Sequence, residues 1–411
     1  MPSPEVTTNF FGSDGLDLGK KLITKDYLMS VYPQIASQLI TPELWIWGDG
    51  ADGRLGANVA TNRSTPVTTF AGGANWKQVS GGYRHTAAIK TDGTLWLWGG
   101  NNAFAELGTN DGTTTSTPVT TFAGGINWKQ ISAATTGKNS FCSAIKTDGT
   151  LWVWGNSQSG QLGTNNTIVA ISTPVTTFAG GTNWKQVSCG TLHTAAIKTD
   201  GTLWVWGSNN LGKLGINDAI QEKVTPVTTF AGGTNWKQVS CGGEHTAAIK
   251  TDGTLWIWGG NSAAQLGTNN GTTRSTPVTT FAGGTNWKQV SCGGDHTVAI
   301  KTDGTLWVWG NNSSAQLGTN DGTTRSTPVT TFAGSTNWKQ VSCAYRFTST
   351  IKTDGTLWVW GRNTSTQLGI NSGTNRSTPV TTFAGGTNWK QVSAGYTHST
   401  AIKTSDDLIG L

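Results

Sequence analysis

The chain has 411 residues, of which 12% are charged and 35% hydrophobic, with 56 Gly, 21 Trp and a formal net charge of +6. That length can bury a large core, which excludes a small disulfide-stapled domain; charge so sparse with Trp so dense excludes a disordered tail. No apolar run reaches roughly 18 residues, and Met1 to Asn9 is polar, so no membrane-spanning helix, membrane insertion or classical secretory signal is expected.

Residues 1–43 lie outside any repeat. Thr24 can cap a short helix from Lys25 to Tyr32, and Pro33 stops it. Leu22, Tyr27, Leu28, Val31 and Tyr32 give the segment an apolar side. Read from its residues alone, the segment is a cap packed on the rim of the following domain.

From residue 44 the chain repeats itself. Leu-Trp-x-Trp-Gly begins at Leu44, Leu95, Leu151, Leu203, Leu255, Leu306 and Leu357, at intervals of 51, 56, 52, 52, 51 and 51 residues. Asn-Trp-Lys-Gln recurs seven times, and these two phrases together hold all 21 Trp. Thr-Pro-Val-Thr-Thr-Phe recurs seven times, from Thr65 to Phe383. A fixed period of this size signals a solenoid or a propeller.

One unit reads as four strands. Trp236–Cys241 is strand A, His245–Lys250 strand B, Thr254–Trp258 strand C and Thr276–Phe281 strand D. Strand C puts Leu255 and Ile257 on one face and Trp256 and Trp258 on the other, so it is expected between two packed sheets. The Pro of strand D suits an edge strand, and Asp252-Gly253 marks a tight B–C hairpin. The repeat enters at strand C near Leu44 and leaves after strand B near Lys403, so the orphan halves complete one another. The expected fold is all-β: a seven-bladed β-propeller of four-stranded antiparallel blades over residues 44–404, with an N-terminal arm and a tail at 405–411.

Trp154-Gly-Asn-Ser-Gln-Ser-Gly-Gln-Leu-Gly163, Trp206-Gly-Ser-Asn-Asn-Leu-Gly-Lys-Leu-Gly215 and the Gly242-x-x-His-Thr246 start of strand B resemble the signatures of the regulator-of-chromosome-condensation (RCC1) repeat family. The resemblance covers about residues 44–404 and implies a seven-bladed propeller. It leaves function open, since members include a nucleotide exchange factor, a plant UV-B photoreceptor and a secreted β-lactamase inhibitor. The stretch from Leu16 to Leu28, with Tyr32-Pro33, resembles leaders that precede such propellers in marine bacteriophage proteins. That resemblance implies that residues 1–43 are an arm docking the disc to a larger particle, with the rim cap as the alternative, and that the chain is a virion component made in the host cytoplasm.

Copies within one chain can be compared. The B–C turn is Lys-Thr-Asp-Gly six times and the D–A turn is almost constant, so one face of the disc is uniform. The opposite face, formed by the A–B and C–D loops, varies. Its A–B residues include Tyr83, Arg84, Lys138, Leu192, Glu244, Asp295, Tyr345, Arg346 and Tyr396. Its C–D residues include Phe104, Glu106, Leu211, Lys213 and Arg362. Variable loops on a rigid scaffold usually carry recognition, so these are the candidate partner-binding residues, with neutral drift as the alternative.

Chemistry has no foothold. The five His all start strand B, one per blade, and cannot converge on one metal ion. The five Cys form no CxxC pair, and four of them exchange with Gly or Ala at one strand A position, which reads as small buried sites. Fourteen Lys fall on two lattice positions and the aromatics are committed to the core, which argues against a nucleic-acid groove. No paired carboxylates or phosphate loop appear, and no cofactor or metal is expected. A photoreceptor would want Trp beside Arg in the A–B loops, where this chain has Tyr. The expected function is a non-enzymatic binding scaffold with protein partners, foremost a virion protein meeting host-surface molecules or other virion proteins. The alternatives are a soluble adaptor or inhibitor and, further off, a guanine-nucleotide exchange factor.

Overall fold

The computed structural model describes residues 42–70, 75–100, 104–135 and 140–404. Pro42–Thr404 forms one compact unit. It holds seven four-stranded antiparallel sheets, each ordered A-B-C-D from the centre outwards. Blade 4 is typical: A is Trp236–Cys241, B His245–Lys250, C Leu255–Gly259 and D Arg274–Thr279. Blades 1, 2 and 3 begin with strand A at Trp76, Trp128 and Trp184, and blades 5 and 6 at Trp287 and Trp338.

Blade 7 is built from both ends of the repeat. Its A and B strands are Trp389–Ala394 and His398–Thr404, and its C and D strands are Pro42–Gly48 and Arg63–Thr68. Strand C pairs with strand B along its whole length, from Pro42 opposite Thr404 to Gly48 opposite His398. The wheel therefore shuts by backbone hydrogen bonds and needs no polar capping repeat.

Strand C carries the core. Leu255, Ile257 and Trp258 are fully buried, as are their counterparts in the other blades. Trp256 is only half-buried, so the expectation of equal burial on both faces of strand C is corrected at this position. The strand A Trp lies edge-on to the strand C Trp, at centroid distances of 6.3 Å to Trp256 and 6.4 Å to Trp258 in blade 4. Such edge contacts suit the indole quadrupole.

Three sets of side-chain bonds tie each blade to the next. The strand A Gln reaches across: Gln238 Nε2 donates to the Val290 carbonyl at 3.1 Å, and Val290 N donates to Gln238 Oε1 at 3.0 Å. The strand A Ser accepts from the next blade's backbone, as when Cys292 N donates to Ser240 Oγ at 3.0 Å. The strand C Trp donates to the C–D turn of the preceding blade, as Trp258 Nε1 does to the Lys213 carbonyl at 2.9 Å. At the closing seam, Gln391 accepts from Val79 N and Ser393 from Gly81 N, so the seam is latched like any other.

Two glycines show why the turns repeat. Gly253 sits at φ +80°, and a Cβ there would lie 2.0 Å from the Thr285 carbonyl oxygen. Gly259, which ends strand C at φ +107°, would meet the Glu244 carbonyl oxygen at 2.5 Å. Only glycine fits both the left-handed backbone and the close approach.

Candidate functional site

Every strand A ends, and every strand B begins, on the face with the A–B and C–D loops. Because strand A is innermost, the two residues before the strand B start ring the mouth of the central axis. In blades 6, 7 and 1 the first of these is Tyr345, Tyr396 and Tyr83. The three rings lie in contact in series, tilted by 31° for Tyr345–Tyr396 and 53° for Tyr396–Tyr83, with centroids 4.9 and 4.5 Å apart. In blades 4 and 5 the same place is Gly243 and Gly294, and the Tyr345 ring lies over Gly294, 2.5 Å from where a Cβ would stand. The mouth is thus bulky and aromatic on one arc and cleared on the other.

Arginines accompany the tyrosines. Arg346 lies over the Tyr345 ring at 4.9 Å and Arg84 over the Tyr83 ring at 5.4 Å. Arg84 approaches Asp52 at 3.8 Å. Arg362 donates from Nε to Thr364 Oγ1 at 2.8 Å, and among the described residues neither it nor Arg346 forms an ion pair. Burial pushes the Tyr396 hydroxyl above its usual pKa, an effect the neighbouring tyrosines reinforce. The cleared arc carries Asp295, whose carboxyl is raised by burial although Arg346 opposes the rise, and Glu244. Cation–π and ring–ring contacts preorganise the arginine–tyrosine arc.

Not every predicted contact residue is displayed. Glu106 and Lys213 are 2% and 1% exposed, which corrects their expected display to a partner. Both occupy the buried C–D turn position that Gln161, Gln265, Gln316 and Gln367 hold in other blades, and Arg54 holds it in blade 7. Lys213 is neutralised by an ion pair with Glu244 of the next blade. Arg54 pairs with Asp49 at 3.0 Å and Asp52 at 2.8 Å. Burial raises the Glu106 pKa, which offsets the cost of an inward carboxylate. Leu192 and Phe104 are half-buried, and Leu211 is 43% exposed at the tip of a turn. Lys138 lies outside the described residues, as do Leu22, Tyr27, Leu28, Val31 and Tyr32.

Below the mouth runs a relay that sequence reasoning missed. His193, His245, His296 and His398 approach Thr Oγ1 of the next blade through Nε2, at 2.8, 2.9, 3.1 and 2.9 Å. Each such Thr hydroxyl donates to a C–D turn carbonyl, as Thr297 does to Gln265 at 2.8 Å. A hydroxyl that has spent its proton can only accept, so Nε2 carries the imidazole proton and Nδ1 is bare. Nδ1 of all five His is buried without a partner. Burial pulls the pKa of His85 down to about 4 and those of His245 and His296 to about 3. In blade 2, Cys142 takes the Thr place, 3.1 Å from His85 Nε2. Its thiol is fully buried with a pKa well above the usual range, so it is the inert counterpart of the hydroxyl and not a nucleophile. No group of three or more His, Cys, Asp or Glu among the described residues is placed to hold a metal ion.

The RCC1-like domain pattern matches residues 39–332 and 185–411. The ultraviolet-B receptor UVR8 of Arabidopsis thaliana is 32% identical over 338 residues, covering 81% of this chain and 76% of that protein. The mitochondrial RCC1 domain-containing protein RUG3 of Arabidopsis thaliana is 27% identical, covering 87% and 74%. Human HERC2, an E3 ubiquitin-protein ligase, is 24% identical over 89% of this chain but only 8% of its own length. Among solved structures, human WBSCR16 superposes with a TM-score of 0.76 at 20% identity, covering 89% of this chain and 99% of that one. Prp20p of Saccharomyces cerevisiae gives 0.75 at 19%, covering 90% and 93%; at such identities these two show the fold alone. The signature turns, the seven latched blades and these matches agree: the chain belongs to the RCC1-like domain family.

Proposed function

We propose that this propeller is a non-catalytic scaffold that binds a protein partner across the A–B and C–D face. The observation that carries the reading is the asymmetric mouth, in which three tyrosines in ring contact, with Arg84, Arg346 and Arg362, oppose a cleared arc bearing Glu244 and Asp295. Half-buried Tyr and Arg are the side chains that most often dominate binding energy at protein interfaces. Yeast Prp20p, of the same fold, binds Gsp1p and histones, which supports protein recognition by such a disc. Tyr345→Ser with Arg346→Glu should remove the partner from native pull-downs, while Lys237→Glu with Lys288→Glu on the opposite face should not. Equal loss from both pairs would end the reading.

The finer reading is a bacteriophage virion protein docked through residues 1–43, and it rests on the leader's resemblance alone. Mass spectrometry of purified particles checks it. A chain lacking residues 1–43 that still enters particles normally would refute the docking arm. A soluble adaptor is the alternative, and it predicts a soluble complex instead of a particle.

A further inference from the structure

The opposite face, made by the B–C and D–A turns, has a composition that the proposed binding role leaves unused. Each strand D runs into a Phe: Phe70, Phe122, Phe178, Phe230, Phe281, Phe332 and Phe383. All seven are 63% to 66% exposed. Their backbones are fixed, as when Phe281 N donates to the Gly267 carbonyl at 2.9 Å. Among the described residues none of the seven rings makes an aromatic or cation–π contact. Seven Phe held rigidly in water, one per blade, are a standing exposure that the fold does not require.

The same face is strongly basic. In every blade the pairing of strands A and B slips by one residue after the Trp, so that Trp236 faces Lys250 and Gln238 faces Ile249. The extra residue of this bulge is Lys237 or its equivalent, exposed in all seven blades. A second Lys ends strand B in six blades, and in blade 7 is Lys403, one residue before the end; each sits between two indoles, as Lys250 does at 4.8 Å from Trp236 and 4.5 Å from Trp256. Against these fourteen lysines stand, among the described residues, the six Asp of the B–C turns and Glu43, seven carboxylates in all, which leaves the described part of the face at +7. Bonds from the next Thr hold the turn aspartates below their usual pKa, as at Asp252, so this balance persists at neutral pH. The half-buried Trp of strand C opens on the same end, its Nε1 donating to the turn Thr, as Trp256 does to Thr254 at 2.9 Å.

We infer that this face seats flat on an anionic lipid bilayer, with the Phe ring entering the headgroup boundary and the lysines meeting acidic headgroups. Phe and half-exposed Trp set among lysines are the composition of surfaces that lie on membranes. Anionic lipid is attracted by each basic residue near the surface. The uniformity of the seven units is the second argument. A protein partner touches some blades and not others, and the A–B loops show how copies differ where that happens. A bilayer has no features in its plane, so nothing distinguishes one blade from the next. Duplex nucleic acid would meet the lysines but leave seven Phe in water, since it reads stacking only when single-stranded. The disc lies on the membrane without crossing it, and no helix among the described residues is long and apolar enough to cross. This contact is independent of the partner-binding mouth.

The test is co-sedimentation of the full chain with vesicles of phosphatidylcholine, and of phosphatidylcholine with phosphatidylglycerol at seven parts to three. The wild type should pellet with the second and stay in solution with the first. Phe230→Gln, Phe281→Gln and Phe332→Gln together should lower partition about tenfold, as should Lys237→Gln, Lys288→Gln and Lys339→Gln together. Melting curves should match the wild type, because these side chains are exposed. Tyr345→Ser with Arg346→Glu should partition as the wild type, which separates failure here from failure of the partner-binding reading. No pelleting on anionic vesicles, or unchanged partition of both triple variants, would overturn the inference. So would binding to single- or double-stranded DNA that the vesicles do not compete away.

Discussion

The neutral histidines make stability depend on pH with a definite sign. His85, His245 and His296 are fully buried, with pKa values drawn down to about 4, about 3 and about 3. In the unfolded chain an imidazole titrates near 6.5, so between that pH and the folded values the unfolded state binds protons that the folded state refuses. The stabilisation from these groups is therefore complete above 6.5 and is lost as the pH falls through the window towards 4. At about pH 5 each of the three costs about 2 kcal/mol, together about 6 kcal/mol, against a typical domain stability of about 5–15 kcal/mol. His193 and His398 shift in the same direction and add to the slope. Glu106 and Asp295, with raised carboxyl pKa values, take up protons first in the folded state and offset part of it. The turn aspartates are lowered and lose their contribution only at more acid pH. Urea unfolding at about pH 7.5 and about pH 5 measures the difference. A decisive variant copies blade 6, where Phe347 stands in the His place beside Ala344. In the His blades that neighbour is Gly, because a Cβ on Gly242 would lie 2.5 Å from His245 Cε1. His245→Phe, which leaves Gly242 in place, should keep the fold at about pH 7.5 and shrink the pH slope by one proton. Stability that is flat from about pH 7.5 to 5, or a variant with the parental slope, would refute the reasoning.

Four further outcomes rest on the latches and buried groups. Gln289→Ala removes two bonds to Val341, each 3.2 Å long, and leaves its backbone groups unpaired; denaturant titration should show a loss of about 1–3 kcal/mol. Glu244→Ala strands the Lys213 ammonium and should cost about 2 kcal/mol, less than a fully buried pair because Glu244 is partly exposed. Lys213→Gln, which restores the residue of four other blades, should change the thermal midpoint little. The five thiols are all buried, so none should react with a thiol reagent in the native protein, and all five should react after unfolding.

The wheel was legible because its determinants are local and repeated. Leu-Trp-x-Trp-Gly gives a strand buried on both sides, Asp-Gly a hairpin, and the split between Leu44 and Lys403 the closing blade. The unequal burial of the two strand C tryptophans was not legible, since both look alike in alternation. Trp256 lies at the turn end of the strand, where Lys250 and Thr254 cover only part of it. The candidate mouth was legible only as a list of differing loop residues. Variation cannot separate a displayed Tyr345 from a buried Lys213. That depends on whether a side chain turns towards the axis or down between blades.

By itself the sequence determined strand order, blade number and the place where the circle shuts, because each follows from spacing along the chain. The tertiary structure alone decided what sits beside what across blades. Tyr345 and Tyr396 are one repeat apart and Tyr83 and Tyr396 about three quarters of the chain apart, yet their rings meet because strand A is innermost in every blade. The Gln, Ser and His–Thr bonds likewise join residues one full repeat apart, and only the radial packing of sheets brings such residues within bonding distance.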